Sequence, residues 1–124
     1  MSQGRIEHVN LTVSDAERSA ALFRKLLGWH ERWRGASKLG GRTIHLGEQD
    51  TYLALYSDDE GAERREKGKP LNHVGFVVDD LDAAERVIRD AGLEPFNHGA
   101  YDPGPTSFYF FDWDGIEFEV ASYA

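Results

Sequence analysis

The sequence predicts an α+β fold made of two similar halves, and three observations carry that prediction. The strand-like segment Ile6-Glu7-His8-Val9-Asn10-Leu11-Thr12-Val13 returns as Leu71-Asn72-His73-Val74-Gly75-Phe76-Val77-Val78, so a His-Val pair recurs 65 positions on. Each of these strands runs into a helix start and an amphipathic helix closed by glycine. After each glycine the pattern changes to strands and turns.

The helix starts are legible in local chemistry. Ser14-Asp15-Ala16-Glu17 has the capping-box form, and Asp79-Asp80-Leu81-Asp82 supplies capping carboxylates. The first helix runs through Ala20, Leu22, Phe23, Leu26 and Leu27 to Gly28, the second through Ala84, Val87, Ile88 and Ala91 to Gly92. Both show i, i+3, i+4 apolar spacing, with a glycine where a left-handed residue ends a helix. Three strands should follow in each half: roughly 28–33, 42–46 and 51–56, then 93–97, 107–111 and 116–121. At a constant offset of 65, Ile44-His45-Leu46 stands against Tyr109-Phe110-Phe111, and Leu53-Ala54-Leu55 against Phe118-Glu119-Val120. The charged stretch 58–70, closed by Gly-Lys-Pro, reads as an exposed connector. We therefore expect one domain over 1–124, with modules at about 4–57 and 71–124. The loop Asp102-Pro103-Gly104-Pro105 is a plausible rim for a site.

Composition narrows the function. A chain of 124 residues with 40% apolar content suits one compact domain. Its net charge of −8, without a basic cluster of footprint size, disfavours nucleic acid and anionic membranes as partners. The absence of cysteine removes disulfides, thiolate metal sites and cysteine nucleophiles, so any metal must use His, carboxylate and water. There is no signal-peptide pattern and no apolar run of bilayer-spanning length, which makes the cytoplasm the expected location.

Alternation sorts the side chains by face. Val9, Leu11 and Val13 form the helix-packed side, and His8, Asn10 and Thr12 point the other way. In the second half His73 opposes Val74, Phe76 and Val78, while Glu117 and Glu119 oppose Ile116, Phe118 and Val120. One apolar face and one His/Glu-bearing face point to a curved sheet around a polar cavity.

These residues resemble the vicinal oxygen chelate superfamily, which contains glyoxalase I, extradiol ring-cleaving dioxygenases, fosfomycin-resistance thiol transferases and bleomycin-binding proteins. The likeness lies in Ile6-Glu7-His8-Val9, the helix end Phe23-Arg24-Lys25-Leu26-Leu27-Gly28-Trp29, Asn72-His73-Val74-Gly75-Phe76, and Phe111-Asp112-Trp113-Asp114-Gly115 followed by Phe118-Glu119-Val120. The resemblance implies two βαβββ modules curving around a divalent ion, which would fall to His8, His73 and Glu119. The fourth ligand of glyoxalase I falls on Ala54, which has no donor atom. Trp113 stands where the family's closing turn usually has proline.

Two histidines and a carboxylate form a ligand set suited to Fe, Mn, Zn, Ni or Co, with open coordination positions for substrate. Tyr109, in a Ser107-Phe108-Tyr109 segment like that of relatives, is a candidate acid or hydrogen-bond donor, and His98 a candidate catalytic histidine. Glu117 reads as a solvent-facing or salt-bridged charge, because the repeat sets Glu119, not Glu117, against Ala54. His45 maps onto Phe110, beside Tyr109 rather than on its face, so His45 and His30 read as surface or structural histidines. Trp29 and Trp33 read as packing or interface residues.

The resulting expectation is a metal-dependent small-molecule enzyme of glyoxalase/dioxygenase type, with ring cleavage slightly ahead of a glyoxalase-type lyase. The alternative is a metal-free protein that sequesters a drug or metabolite. By resemblance a homodimer is expected, its site completed within one chain or shared between two.

Overall fold

The computed structural model describes residues 5–37, 40–58 and 71–124. The predicted connector lies almost wholly outside the described residues. The chain divides into two compact units, Met1–Ala62 and Glu63–Ala124.

The first unit runs β1 (His8–Thr12), α1 (Ala16–Leu27), β2 (His30–Ala36), β3 (Arg42–Gly47) and β4 (Tyr52–Ser57). The second repeats it as β5 (Val74–Val77), α2 (Leu81–Asp90), β6 (Phe96–Ala100), β7 (Thr106–Phe111) and β8 (Glu117–Ser122). Each unit forms a four-stranded mixed sheet, in the orders β1-β4-β3-β2 and β5-β8-β7-β6. The first strand pairs in parallel with the last, and the other pairs are antiparallel.

Both helices begin on an aspartate. The carboxylate of Asp15 accepts from the Arg18 backbone N–H, and that of Asp80 from Ala83 N–H, each at 3.0 Å. The cap of α1 is therefore Asp15 rather than the Ser14 of a capping box, and the Ser14 hydroxyl accepts from Arg18 Nη2 instead. Gly28 ends α1 at φ 68°, and Gly92 follows α2 at φ 82°, a backbone region that costs glycine nothing. The apolar stripe of α1 brings Phe23 and Leu26 into a core with Leu11, Val13, Ile44, Leu46, Leu53 and Leu55. In the second unit Ala84, Ile88, Phe108, Phe110, Phe118 and Val120 are likewise buried.

The repeat is not in constant register. The helix caps Asp15 and Asp80 are 65 apart, but Gly28 and Gly92 are 64 apart: α2 is two residues shorter than α1, and Ala91 stands between its end and Gly92. In the ladders Arg42 pairs with Ser57 and His45 with Ala54, whereas Thr106 pairs with Ser122 and Tyr109 with Glu119. The β7–β8 turn then restores the offset of 65. Glu48 N–H reaches Thr51 O across the β3–β4 turn (2.9 Å), while Asp112 N–H reaches Ile116 O across a turn one residue longer (3.0 Å). Asp112 Oδ1 accepts from the backbone N–H groups of Asp114 and Ile116, and Gly115 takes φ 82°. The counterpart of Tyr109 is therefore His45, and Ile44 is the buried counterpart of Phe108, a correction to the constant-offset reading.

Candidate metal centre

In the second unit the site grows from three adjacent strands. His73 immediately precedes β5, Glu119 lies on β8, and Tyr109 faces Glu119 across the β7–β8 ladder. His73 Nε2 is 3.2 Å from Glu119 Oε1, and the rings of His73 and Tyr109 meet edge to face at 5.6 Å. The Tyr109 phenol has Tyr101 and Glu119 as its polar neighbours. Its pKa is pushed up to about 12, first by partial burial, then by the Tyr101 hydrogen bond and the Glu119 charge. Tyr109 is therefore a neutral phenol throughout the neutral range, suited to donate rather than to accept a proton.

The other edge of His73 is also held. His73 Nδ1 lies 2.8 Å from Asn72 Oδ1 and 3.9 Å from Glu117 Oε2. With oxygen acceptors on that side, Nδ1 is placed to donate, and Nε2 faces Glu119. At 3.2 Å the pair accommodates either a proton or a metal ion between them. Glu117 is 8% exposed and lies within ion-pair distance of His73, the salt-bridged rather than the solvent-facing of its two expected settings.

His98 does not join this cluster. On β6 Phe96 pairs with Tyr109 and Gly99 with Ser107, so one extra residue is bulged out, and Asn97 sits at φ 54°. The bulge breaks the alternation that would put His98 on the Phe96 face. His98 instead stacks near Phe108 at 5.9 Å and donates from Nε2 to Glu85 Oε1 of α2 at 2.7 Å. That bond, ahead of a second from Arg89, holds the Glu85 carboxyl below the usual range.

The first unit presents the matching histidine in different company. His8 Nδ1 lies 2.9 Å from Glu7 Oε1, the counterpart of Asn72, which again places Nδ1 to donate. Four rings then cross the sheet, one from each strand. His8 stacks on Tyr52 at 4.8 Å with 15° between planes, Tyr52 on His45 at 4.7 Å, and Trp33 tilts against His45 at 5.0 Å. The guanidinium of Arg32 lies 4.3 Å from the Tyr52 ring centre, Arg32 being the bulged residue of β2. His45 has its pKa lowered, mainly by burial and then by the neighbouring charges of His8 and Arg32. Trp33 is half exposed, at the open end of the row.

These two histidine-bearing units match the Glyoxalase/Bleomycin resistance protein/Dioxygenase superfamily model over residues 5–120. The chain belongs to that superfamily. Among solved structures it is similar to a glyoxylase/bleomycin resistance protein/dioxygenase domain from Frankia sp. EAN1pec, at 26% identity, with 98% of each chain covered and a TM-score of 0.82. It shares its fold with the fosfomycin resistance protein FosX of Mesorhizobium loti, at 24% identity over 98% of this chain and 92% of that one, TM-score 0.74. The same holds for a FosX variant of Listeria monocytogenes complexed with Mn(II) and 1S,2S-dihydroxypropylphosphonic acid, at 19% identity over 98% and 90%, TM-score 0.76. No curated protein matches the chain.

The donor types of His73 and Glu119 suit a divalent ion, and the distance between them is compatible with one. Nitrogen and oxygen ligands at about 2.1 Å from one ion are about 3.0–3.4 Å apart for angles between octahedral and tetrahedral. The 3.2 Å between His73 Nε2 and Glu119 Oε1 falls in that interval. Among the described residues no three His, Asp or Glu side chains of themselves form a metal-holding group; His8 belongs to the other unit. No helix among the described residues is long and apolar enough to cross a membrane.

Two partners escaped the sequence reading. Tyr52 stands 65 before Glu117, the same repeat relation that links His8 to His73, and could have been found by that count. Tyr101 opens the predicted rim loop: its N–H donates to Pro105 O at 3.0 Å, and Gly104, where a Cβ would come within 2.8 Å of Tyr101 Cβ, lets the loop close. No periodic signal marks Tyr101.

Proposed function

We propose that the protein is a divalent-metal-dependent enzyme acting on a small molecule with two neighbouring oxygens, with His8, His73 and Glu119 as the protein ligands. The observation that carries this reading is the 3.2 Å approach of His73 Nε2 to Glu119 Oε1 beside a protonated Tyr109. A divalent ion held there supplies Lewis-acid polarisation of the substrate oxygens. Asn72 and Glu7 keep the proton on Nδ1 of each histidine, so that both present Nε2. Tyr109 donates its hydrogen bond, or its proton, to the substrate oxygen on which charge develops, and Tyr101 fixes the direction of that phenol.

The position of His98 bears on which reaction this is. Ring cleavage stood slightly ahead on the ligand set alone, and His98, the candidate for its catalytic histidine, is held by Glu85. We therefore put non-oxidative chemistry of the glyoxalase-type lyase kind, or addition to a chelated substrate, ahead of ring-cleaving dioxygenation. The Listeria FosX variant holds Mn(II) with a molecule that is a vicinal diol by name, which supports an oxygen-chelating substrate on this scaffold. The row of rings His8, Tyr52, His45 and Trp33 favours a second reading, a metal-free protein that stacks a drug or metabolite on that face.

Metal content separates the two readings. Freshly purified protein should hold stoichiometric metal that His8→Ala, His73→Ala and Glu119→Ala each lose. No binding under anaerobic Fe(II) or Mn(II) loading would sink the enzyme reading. A panel of catechols, thiol adducts of 2-oxoaldehydes and fosfomycin then selects the substrate class. We also read the protein as a homodimer; if sites are shared between chains, mixing His8→Ala with Glu119→Ala chains restores metal binding.

A further inference from the structure

The two histidines occupy the same place in their units, yet they are held by opposite means. In β1–β4 the partner of His8 is Tyr52, and Val9 pairs with Leu53. In β5–β8 Val74 pairs with Phe118, which puts Glu117 at the position of Tyr52. At that one position the first unit offers a ring lying 15° from the plane of His8, and the second a largely buried carboxylate 3.9 Å from His73 Nδ1.

We propose that Tyr52 and Glu117 are paired positioning residues: each helps to fix the imidazole of its own unit so that Nε2 is presented for metal, Tyr52 by stacking and Glu117 by its charge 3.9 Å from the Nδ1 that Asn72 engages. This rests on the metal reading above. A histidine ligand loses affinity when its ring swings freely, and both the plane and the protonated edge must be set to prevent that. Glu7 and Asn72, the residues just before each histidine, engage the Nδ1 edge of His8 and His73 alike. The remaining rotation of His8 is blocked by Tyr52, which His45 backs on its second side and Trp33 extends. The matching rotation of His73 is blocked by Glu117 together with the edge of Tyr109. His45 thereby acts through Tyr52, the structural rather than the surface of its two expected roles.

The test uses the full chain and Co(II), whose visible absorption reports ligand number, together with long-range proton–nitrogen spectra of the imidazoles in metal-free protein. Tyr52→Leu should weaken Co(II) binding about 10- to 100-fold and move the His8 signals while leaving those of His73 in place. Tyr52→Phe keeps the ring and should bind as the wild type does. Glu117→Gln should reverse the pattern, moving His73 and leaving His8. Wild-type affinity in Tyr52→Leu, equal loss in Tyr52→Phe, or imidazole signals that do not follow their own unit would each overturn the proposal. If the wild type binds no Co(II), the metal reading fails, and the imidazole spectra alone decide whether the two residues position their histidines.

Discussion

His73 Nε2 and Glu119 Oε1 stand 3.2 Å apart, while His73 Nδ1 on the other edge of the ring lies 2.8 Å from Asn72 Oδ1. A nitrogen and a carboxylate oxygen at that distance share a proton or a metal ion. Glu119→Gln keeps the shape of the side chain but replaces the anionic oxygen with an amide. We expect it to lose stoichiometric Mn(II) or Co(II), measured by elemental analysis after dialysis, while its unfolding midpoint without metal stays near that of the wild type. Retention of metal in Glu119→Gln would remove Glu119 from the ligand set.

Tyr109 gives a prediction with a definite pH window. Its pKa is raised from the ordinary 10.0 to about 12, so the folded state holds the phenolic proton more tightly than the unfolded state. The stability this contributes is fully present below pH 10 and is lost as pH climbs toward 12. Tyr109→Phe should flatten the alkaline decline of the urea midpoint across that window. It should leave metal content intact and lower turnover of any accepted substrate on the order of 10²- to 10⁴-fold, the range for loss of a general acid. A variant with full turnover would leave Tyr109 as an aromatic strand residue.

The bond between His98 and Glu85 makes the opposite pH prediction. Glu85 has a lowered pKa, first through His98 and then through Arg89, so its contribution is present above the ordinary 4.5 and fades as pH falls through the lowered value. His98→Ala should shrink that acid-side loss of stability while metal content and turnover stay at wild-type levels. Loss of turnover with metal retained would return His98 to the reaction and ring cleavage to the front.

Much of this was legible in the sequence because period and local chemistry decide it. Both helices and the alternation of faces follow from apolar spacing and one repeat offset, while the grouping of His73, Tyr109 and Glu119 came from the resemblance to the superfamily. What the sequence hid were places where one residue is gained or lost. The shorter α2 and the longer Asp112–Gly115 turn cancel in the offset, so His45 seemed to match Phe110 when its ladder partner makes it the counterpart of Tyr109. The bulge at Asn97 turned His98 to the helix side in the same way. A bulge is set by backbone pairing across strands, and pattern reading along one strand does not see it.

Ala54 shows how far the missing fourth ligand can be restored. In sequence it looks like a gap where a glutamate would reach the metal, but the residue is 2% exposed, and it pairs with Asn10 on one side and His45 on the other. The side chain is shielded from water, so Ala54→Glu must bury its own charge or displace its neighbours, and either should cost roughly 1–3 kcal/mol. We expect a lower urea midpoint, and a disturbed His45 ring as the first local sign in the imidazole spectra. Added Mn(II) or Co(II) should recover part of the loss only if the new carboxylate reaches the ion that His8 helps to hold. A variant as stable as the wild type without metal would mean that this face has room for a fourth ligand.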